Sequence, residues 1–377
     1  MENVNSVAYV TKITEILPIE GADKIEQVFV GGWSCVAQKD KYKIGDLVIV
    51  ATTDAVIPEE LAENLQVISY LRKGNRVRTV KLKGVYSECL IIPPSYIKYF
   101  NNDKLFKGKD VMGELGIYKY EPPVKQITLS SGRKLRYQDN PNFGVYYKFP
   151  NIKNVPDMFT ENDIVEVTRK IHGTNARYGV VKKKKLSLID RIKKFFGNTW
   201  IEFEFVYGSH NVEKGSDSQG YYSTDVWKEI EEKYNIKERL WEYVKSFDFH
   251  PDLLGNGVVL YGEIYGKGIQ KGYEYGLDEI LFAGFDVKVN DEYLSIEESF
   301  NVITSDLTLE YVPILYVGYW NDKLSDRFVK DNFIDNSKVP HEGIVVKHIT
   351  GDRRKVAKII NPAYLIYSEK NNIGDSH

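Results

Sequence analysis

Short runs of alternating apolar and polar residues, separated by turn signals, open the chain. Residues 27–37 alternate on either side of Gly31-Gly32, the layout of a β-hairpin, and residues 47–50 follow Gly45-Asp46 as the next strand. A helical stretch is expected near residues 59–65, then a basic strand over 76–83. Its alternation turns Arg76 and Arg78, with Lys81 and Lys83 beyond them, toward solvent. About five short strands closing into a small barrel predict an OB-fold, a common scaffold for nucleic acid. An ordinary barrel with a charged outer face is the alternative reading of the same strand.

Past residue 110 the periodicity lapses. Pro122-Pro123, Ser130-Ser131-Gly132 and Asn140-Pro141-Asn142 are turn chemistry, so a connector is predicted over 111–148, between a first domain at 1–110 and a second at 149–377. In residues 182–196, Leu188, Ile192, Phe195 and Phe196 fall at helical spacing among seven lysines and arginines. The ordinary fate of such a segment is a helix docked by its apolar stripe. Contact with a phosphate backbone is the alternative, and nothing else in the chain supports binding to a membrane surface.

Composition agrees with an intracellular, two-domain enzyme. The 377 residues suffice for two cores, no apolar run is long enough to span a bilayer, and the start lacks the basic-then-apolar layout of a secretory leader. Cys35 and Cys89 give neither a metal spacing nor a disulfide framework, so a reducing, cytoplasmic setting is expected. The net charge of −2 leaves any nucleic acid to be met by a local patch.

Chemistry concentrates in the second half. Lys170 ends the strand-like segment 163–168 and opens Lys170-Ile171-His172-Gly173-Thr174-Asn175. A lysine nucleophile must be neutral, and its ordinary pKa near 10.4 means that a site working at neutrality supplies about 4–5 kcal/mol of differential stabilisation. Burial and neighbouring cations can supply it. Downstream, Gly262-Glu263-Ile264 follows an apolar run, and Glu342-Gly343-Ile344-Val345-Val346-Lys347 puts a carboxylate before a strand and a lysine at its far end. Lys355-Val356-Ala357-Lys358-Ile359-Ile360-Asn361-Pro362 lies shortly after. Singly, each block reads as a strand terminus or a turn. Their order carries the weight.

In that order the blocks resemble the covalent nucleotidyltransferases: DNA ligases, RNA ligases and mRNA-capping enzymes. Lys170 matches the lysine that becomes joined to a nucleoside monophosphate. His172, where DNA ligases and capping enzymes mostly carry aspartate, and Asn175 are similar to RNA ligases. The stretch from Gly262 to Lys271 and Phe282-Ala283-Gly284-Phe285-Asp286-Val287 are similar to the nick-sealing members. With its OB-like module placed first, the chain resembles the RNA ligase 5 family over almost its whole length.

That resemblance implies an α+β protein, an N-terminal OB-fold β-barrel followed by a ligase-type nucleotidyltransferase domain built on antiparallel sheets. It implies a monomer that uses ATP with Mg²⁺ or Mn²⁺ to seal RNA 5′-phosphate and 3′-hydroxyl ends at nicks in duplexes, with no membrane partner. The implied catalytic set is Lys170, His172, Glu263, Glu342, Lys347 and Lys358. Thr168, Ile171, Asn175, Arg177, His210 and Phe285 join these around the nucleotide, Phe285 by stacking on adenine. Glu263 and Glu342 would organise the metal, directly or through water. The chain departs from the family at Arg169, where many relatives have glutamate, and at Ser209-His210-Asn211, where they have Ser-Arg-Asn; Lys214 is a substitute cation there. Lys358 is the expected α-phosphate ligand and Lys355 its fallback. A DNA ligase, a capping-type enzyme or a non-catalytic OB-fold RNA-binding protein are the alternatives.

Overall fold

The expected barrel is present. The computed structural model describes residues 6–97, 105–120, 140–196, 199–210, 213–214, 225–247, 251–330, 332–335, 337–349, 354–371 and 373. Its first module contains β1 (Ala8–Pro18), β2 (Ile25–Val30), β3 (Trp33–Gln38), β4 (Leu47–Thr52), β5 (Ala55–Val56), α1 (Glu59–Asn64), β6 (Val80–Leu82), β7 (Val85–Ser87), β8 (Cys89–Ile92), α2 (Met112–Leu115) and β9 (Tyr118–Lys119). Five strands pair antiparallel in the order β3-β2-β1-β4-β8. Bonds from Glu88 N–H to Ser34 O (2.8 Å) and from Val36 N–H to Ser87 Oγ (3.1 Å) bring the two edges together. Alternation puts Val28, Val30, Trp33, Cys35 and Val50 inside, while Ile49, Ala51 and Ile92 pack on the other side with Leu61 and Ala62 of α1. The β2–β3 corner falls at Gly31-Gly32, with Gly31 at φ +59°.

The second module contains β10 (Ile164–Lys170), β11 (Thr174–Lys182), α3 (Leu188–Phe195), β12 (Phe203–Gly208), β13 (Glu213–Lys214), α4 (Val226–Tyr234), α5 (Ile236–Lys245), β14 (Gly257–Gly266), β15 (Ile280–Val289) and β16 (Glu292–Tyr293). It continues through α6 (Ile296–Asn301), β17 (Ile314–Tyr319), α7 (Lys323–Phe328), β18 (Gly343–His348), β19 (Val356–Ile360) and α8 (Pro362–Lys370). Two antiparallel sheets result, β17-β10-β18-β19 and β13-β12-β11-β14-β15-β16. Each buries one face: Val165, Val167, Ile344, Val346, Ala357 and Ile359 on the smaller, and Ala176, Tyr178, Val180, Leu260 and Ile264 on the larger, under α4 and α5. The opposite faces look at each other, and the polar residues of both line the space between them.

Of the expected connector, residues 121–139 lie outside the described residues. Residues 140–149 pack on the large sheet, where Phe143 and Tyr146 are buried against Val181, Val259 and Tyr261. The two modules touch through Trp33 Nε1, which donates to Asn154 Oδ1 (3.2 Å), and through the Lys153–Glu88 ion pair. A Cβ on Gly32 would lie 2.6 Å from the Lys153 carbonyl, so only glycine fits that junction. Among the described residues no helix is long and apolar enough to cross a membrane.

Two local expectations are corrected. The basic strand shrinks to Val80–Leu82, because Arg76 turns aside to pair with Asp54 over the Tyr120 ring, and Arg78 reaches Glu369 of α8 at 3.0 Å. The helix at 188–195 forms, capped by Ser187, but its apolar stripe is not docked: it faces solvent.

Candidate active site

The register of the small sheet places Lys170. β10 residues Lys170, Thr168 and Glu166 lie opposite Gly343, Val345 and Lys347 of β18, and Val345 lies opposite Lys358 of β19. Alternation therefore presents Glu166, Thr168, Lys170, Lys347 and Lys358 on the face turned away from the apolar core. On the large sheet Asn175 pairs with Glu263, Arg177 with Tyr261, and Tyr261 with Asp286, which puts these residues on the facing wall.

Lys170 sits where the walls meet. Its Nζ donates to Glu342 Oε1 at 2.6 Å, and Glu342 is 1 % exposed. Glu263 approaches from the other sheet. An edge of its side chain stays accessible, yet surrounding protein strips most water from the carboxyl. This desolvation, opposed by the Lys170 charge and reinforced by the Glu342 carboxylate, pushes its pKa up to about 8. Lys358 is pushed down to about 8, first by lost hydration and then by the Lys170 charge, with Glu342 opposing. Two carboxylates and two ammonium groups thus converge with one carboxyl unwilling to ionise, an arrangement that a divalent cation with phosphate oxygens would complete. Among the described residues no group of three or more His, Cys, Asp and Glu gathers to hold a metal by itself. A divalent cation placed there would need substrate or water oxygens for its remaining ligands.

The turn after Lys170 is held from several directions. His172 N–H donates to the Tyr275 hydroxyl (2.7 Å), and Gln270 Nε2 donates to the Gly173 carbonyl (2.7 Å). The His172 ring is buried edge-on between Tyr273 and Tyr364, with Nδ1 3.2 Å from the Tyr364 hydroxyl and 3.5 Å from Glu342 Oε2. Its Nε2 has no hydrogen-bond partner among the described residues. A Cβ on Gly173 would lie 2.2 Å from the Ile264 carbonyl, so the chain can pass β14 only as glycine. Glu342 is fixed from behind by Asn361, whose N–H donates to the Glu342 carbonyl (2.9 Å) and whose Oδ1 caps α8.

Behind the cleft lies a buried charge cluster. Lys347, 2 % exposed, donates to the Phe285 carbonyl (2.5 Å) and to the Tyr311 hydroxyl (3.2 Å), and lies 3.6 Å from Asp286. Tyr311 in turn donates to Glu166 (3.0 Å), and Asp286 also takes Arg354 and the Tyr146 hydroxyl. Burial raises the Glu166 pKa, with Lys347 opposing.

The other sequence candidates are distributed as follows. Thr168 is buried on the site face and Ile171 is buried in the core beside it. Asn175 Oδ1 is buried and has no hydrogen-bond partner among the described residues. Arg177 is fully buried, giving Nε to Ser209 O (2.8 Å) and a terminal nitrogen to Phe143 O (2.6 Å) while lying over the Phe143 ring. His210 is half-buried, and lost hydration with the charges of Arg177 and Lys148 lowers its pKa. Lys355 turns outward to Asp163 (3.3 Å). Asn211 and the Lys214 side chain lie outside the described residues. A cavity of about 270 Å³ in the first module, lined by Cys35, Tyr42, Leu65 and Val77 among others, contains none of the nucleotide-site candidates.

Tyr273, Tyr275, Tyr364 and Asn361 were not among the sequence candidates, although each holds a candidate in place. The only available signal was the cluster of tyrosines around Gly272 and after Pro362.

The RNA ligase family model matches residues 163–360, more than half of the chain, and spans Lys170, Glu263, Glu342 and Lys358 together. The chain belongs to the RNA ligase family. An OB-fold domain model matches residues 7–94 of this ligase. Its fold is similar to that of the Naegleria gruberi RNA ligase solved with PPi, at a TM-score of 0.68 and 24% identity, covering 97% of this chain and 99% of that chain. Point mutants of the same Naegleria protein, one with ATP and Mn and one with AMP and Mn, each match at a TM-score of 0.69 and 24% identity. They cover 96% and 97% of this chain and 99% of theirs. No curated protein matches this ligase at a significant level.

Proposed function

We propose that the chain is an ATP-dependent ligase that joins a 3′-hydroxyl to a 5′-phosphate at nicks in RNA duplexes through a lysyl-AMP on Lys170. The observation that carries this reading is the convergence on one lysine of Glu342, at 2.6 Å, and Glu263, each delivered by a different sheet. The Naegleria relatives with ATP and Mn or AMP and Mn support the choice of nucleotide and metal.

In the first step Lys170 Nζ attacks the α-phosphorus, a P–N bond forms and pyrophosphate leaves. Glu342 holds the ammonium in place and accepts a proton as it is lost; Lys358 meets the α-phosphate charge from the same sheet face. Glu263 and Glu342 would hold Mg²⁺ or Mn²⁺, which neutralises phosphate charge when bound. In the second step the P–N bond breaks as the adenylate passes to the RNA 5′-phosphate. In the third, the 3′-hydroxyl oxygen attacks that phosphate, a phosphodiester forms and AMP departs. Phe285, half-buried at the edge of the cleft, stacks on adenine, and Asn175 and Thr168 face the nucleoside. The buried thiols Cys35 and Cys89, both unbridged, suit a reducing cytoplasm, and the enzyme is taken to work as a monomer. The domains are taken as 1–110 and 149–377 joined by 111–148, with the described ends of the join leaning on their neighbours: β9 pairs with β5, and Phe143 and Tyr146 pack on the large sheet.

The deciding experiment is transfer of label from α-labelled ATP to the protein. Wild type should form an acid-labile, alkali-stable, Mg²⁺-dependent adduct that Lys170→Ala lacks. Label persisting on that variant, or GTP outcompeting ATP, would reject the reading.

A further inference from the structure

Leu188, Ile189, Ile192, Phe195 and Phe196 are 78, 64, 57, 85 and 80% exposed, although they form the apolar side of α3 and its C-terminal cap. At 3.6 residues per turn these five positions fall within an arc of about 120°. Arg191 and Lys193 flank the arc, one on each side. Asp190 and Lys194 lie opposite it, and these two are fastened to the hairpin that carries the helix: Asp190 to Lys183 at 3.4 Å and Lys194 to Glu202 at 2.5 Å. A reciprocal cap between Ser187 and Asp190 fixes the start. The helix is therefore anchored by its polar side and turns its apolar side outward, the reverse of a helix docked on its own core.

We propose that α3 docks on an anionic lipid surface, where the apolar arc enters the headgroup–acyl boundary and Arg191, Lys193 and the preceding exposed Lys184 and Lys185 meet the lipid phosphates. Charge and shape both select this occupant. A nucleic-acid backbone is met by cations and hydrogen-bond donors and leaves a stripe of leucine, isoleucine and phenylalanine in water. An interfacial helix needs apolar side chains in the middle and cations on both flanks, where they can reach up to the headgroups. The contact does not obstruct the cleft: β11 starts beside Glu263 and runs 9 residues to Lys182 before α3. That run separates the two by roughly 30 Å at about 3.3 Å per residue.

The test uses the full chain with vesicles of phosphatidylcholine alone and of phosphatidylcholine mixed with phosphatidylserine. Wild type should sediment with the mixed vesicles and not with the neutral ones. Phe195→Ser/Phe196→Ser and Arg191→Glu/Lys193→Glu should each weaken that binding by at least about tenfold, since one removes apolar insertion and the other headgroup attraction. All these side chains are exposed, so fold is retained, and labelling of Lys170 by ATP should be unchanged in both variants. No binding of wild type to the mixed vesicles, or equal binding by the variants, overturns the proposal. Weakened binding of the charge variant to nicked RNA, with no vesicle binding by wild type, assigns the surface to RNA instead.

Discussion

Lys347 donates to the main-chain carbonyl of Phe285 at 2.5 Å, so the lysine expected at the phosphate and the ring expected under the base are joined across the two sheets. Because the link runs through the main chain, it survives a change of the Phe285 side chain. Phe285→Leu should weaken ATP binding by about 5- to 150-fold, the range for loss of base stacking on an aromatic ring. The rate of adenylylation at saturating ATP should change far less. Titration of ATP against the labelling rate separates the two, and a collapse of the saturated rate alone would count against stacking.

Glu342→Gln removes a carboxylate and Glu263→Gln removes the capacity to become one when a cation arrives, each while keeping shape. Each should slow adenylylation by about 10²–10³-fold, as expected for groups that stabilise transferring charge. Circular dichroism should remain that of wild type. Single-turnover labelling rates check this, and near-normal rates in both would return the residues to a structural role.

Stability should bend with pH in a way that identifies Glu263. Its pKa rises from the ordinary 4.5 to about 8, so between those values the folded chain holds a proton that the unfolded chain has lost. Stability from this group is present below pH 4.5 and is lost as pH climbs toward 8. Lys358 acts in the opposite sense above that range, because its pKa falls from 10.5 to about 8 and the folded chain there binds fewer protons. Thermal melts of metal-free protein across pH 5 to 8 should show a decline in wild type that Glu263→Gln flattens. Parallel curves would show that the carboxyl ionises normally.

Gly173→Ala should abolish labelling without touching any charged group, since the added carbon would meet the Ile264 carbonyl at 2.2 Å and displace the turn that follows Lys170. A substantially active variant would mean that the turn relaxes freely.

Charge reversal in the first module should divide by partner. Lys81 and Lys83 are exposed on the β6–β7 hairpin, and reversing both should lower the slope of log K against log salt for nicked RNA by up to about 2. Arg76 is committed to Asp54 within the first module and Arg78 to Glu369 of α8, so their reversal should act on the packing of that module and on module docking respectively, and leave that slope alone. Equal slopes for wild type and the Lys81/Lys83 variant would remove the barrel hairpin from the RNA path.

The chemistry was legible because it lies in or beside short apolar strand runs whose spacing is local. Lys170, Glu263 and Glu342 each adjoin an apolar run and Lys358 interrupts one; strand register then sets Lys170, Lys358 and the strand behind Glu342 side by side on the small sheet, while packing of the two sheets brings Glu263 across. What supports them was not legible. Tyr273, Tyr275 and Tyr364 act from loops and from α8, and no periodicity announces which tyrosine in a glycine-rich loop will face a histidine. The basic strand failed for a long-range reason: the partner of Arg78 lies 291 residues away, and that pull is invisible to any local window. The stripe of α3 was read correctly as a stripe. Periodicity says that such a side exists and says nothing about which way it faces.

The cleft is bounded by two sheets that share no ladder, and its carboxylates stand on opposite banks. Its aperture is therefore an adjustable quantity, set by a few tethers such as Lys347 to Phe285 and Tyr311 to Glu166 rather than by a continuous hydrogen-bonded wall. Widening by a fraction of an ångström would separate Glu263 from Lys170 while every strand stayed intact. Substitutions at those tethers, remote from any reacting atom, would thus tune the enzyme as a change of focus tunes a lens.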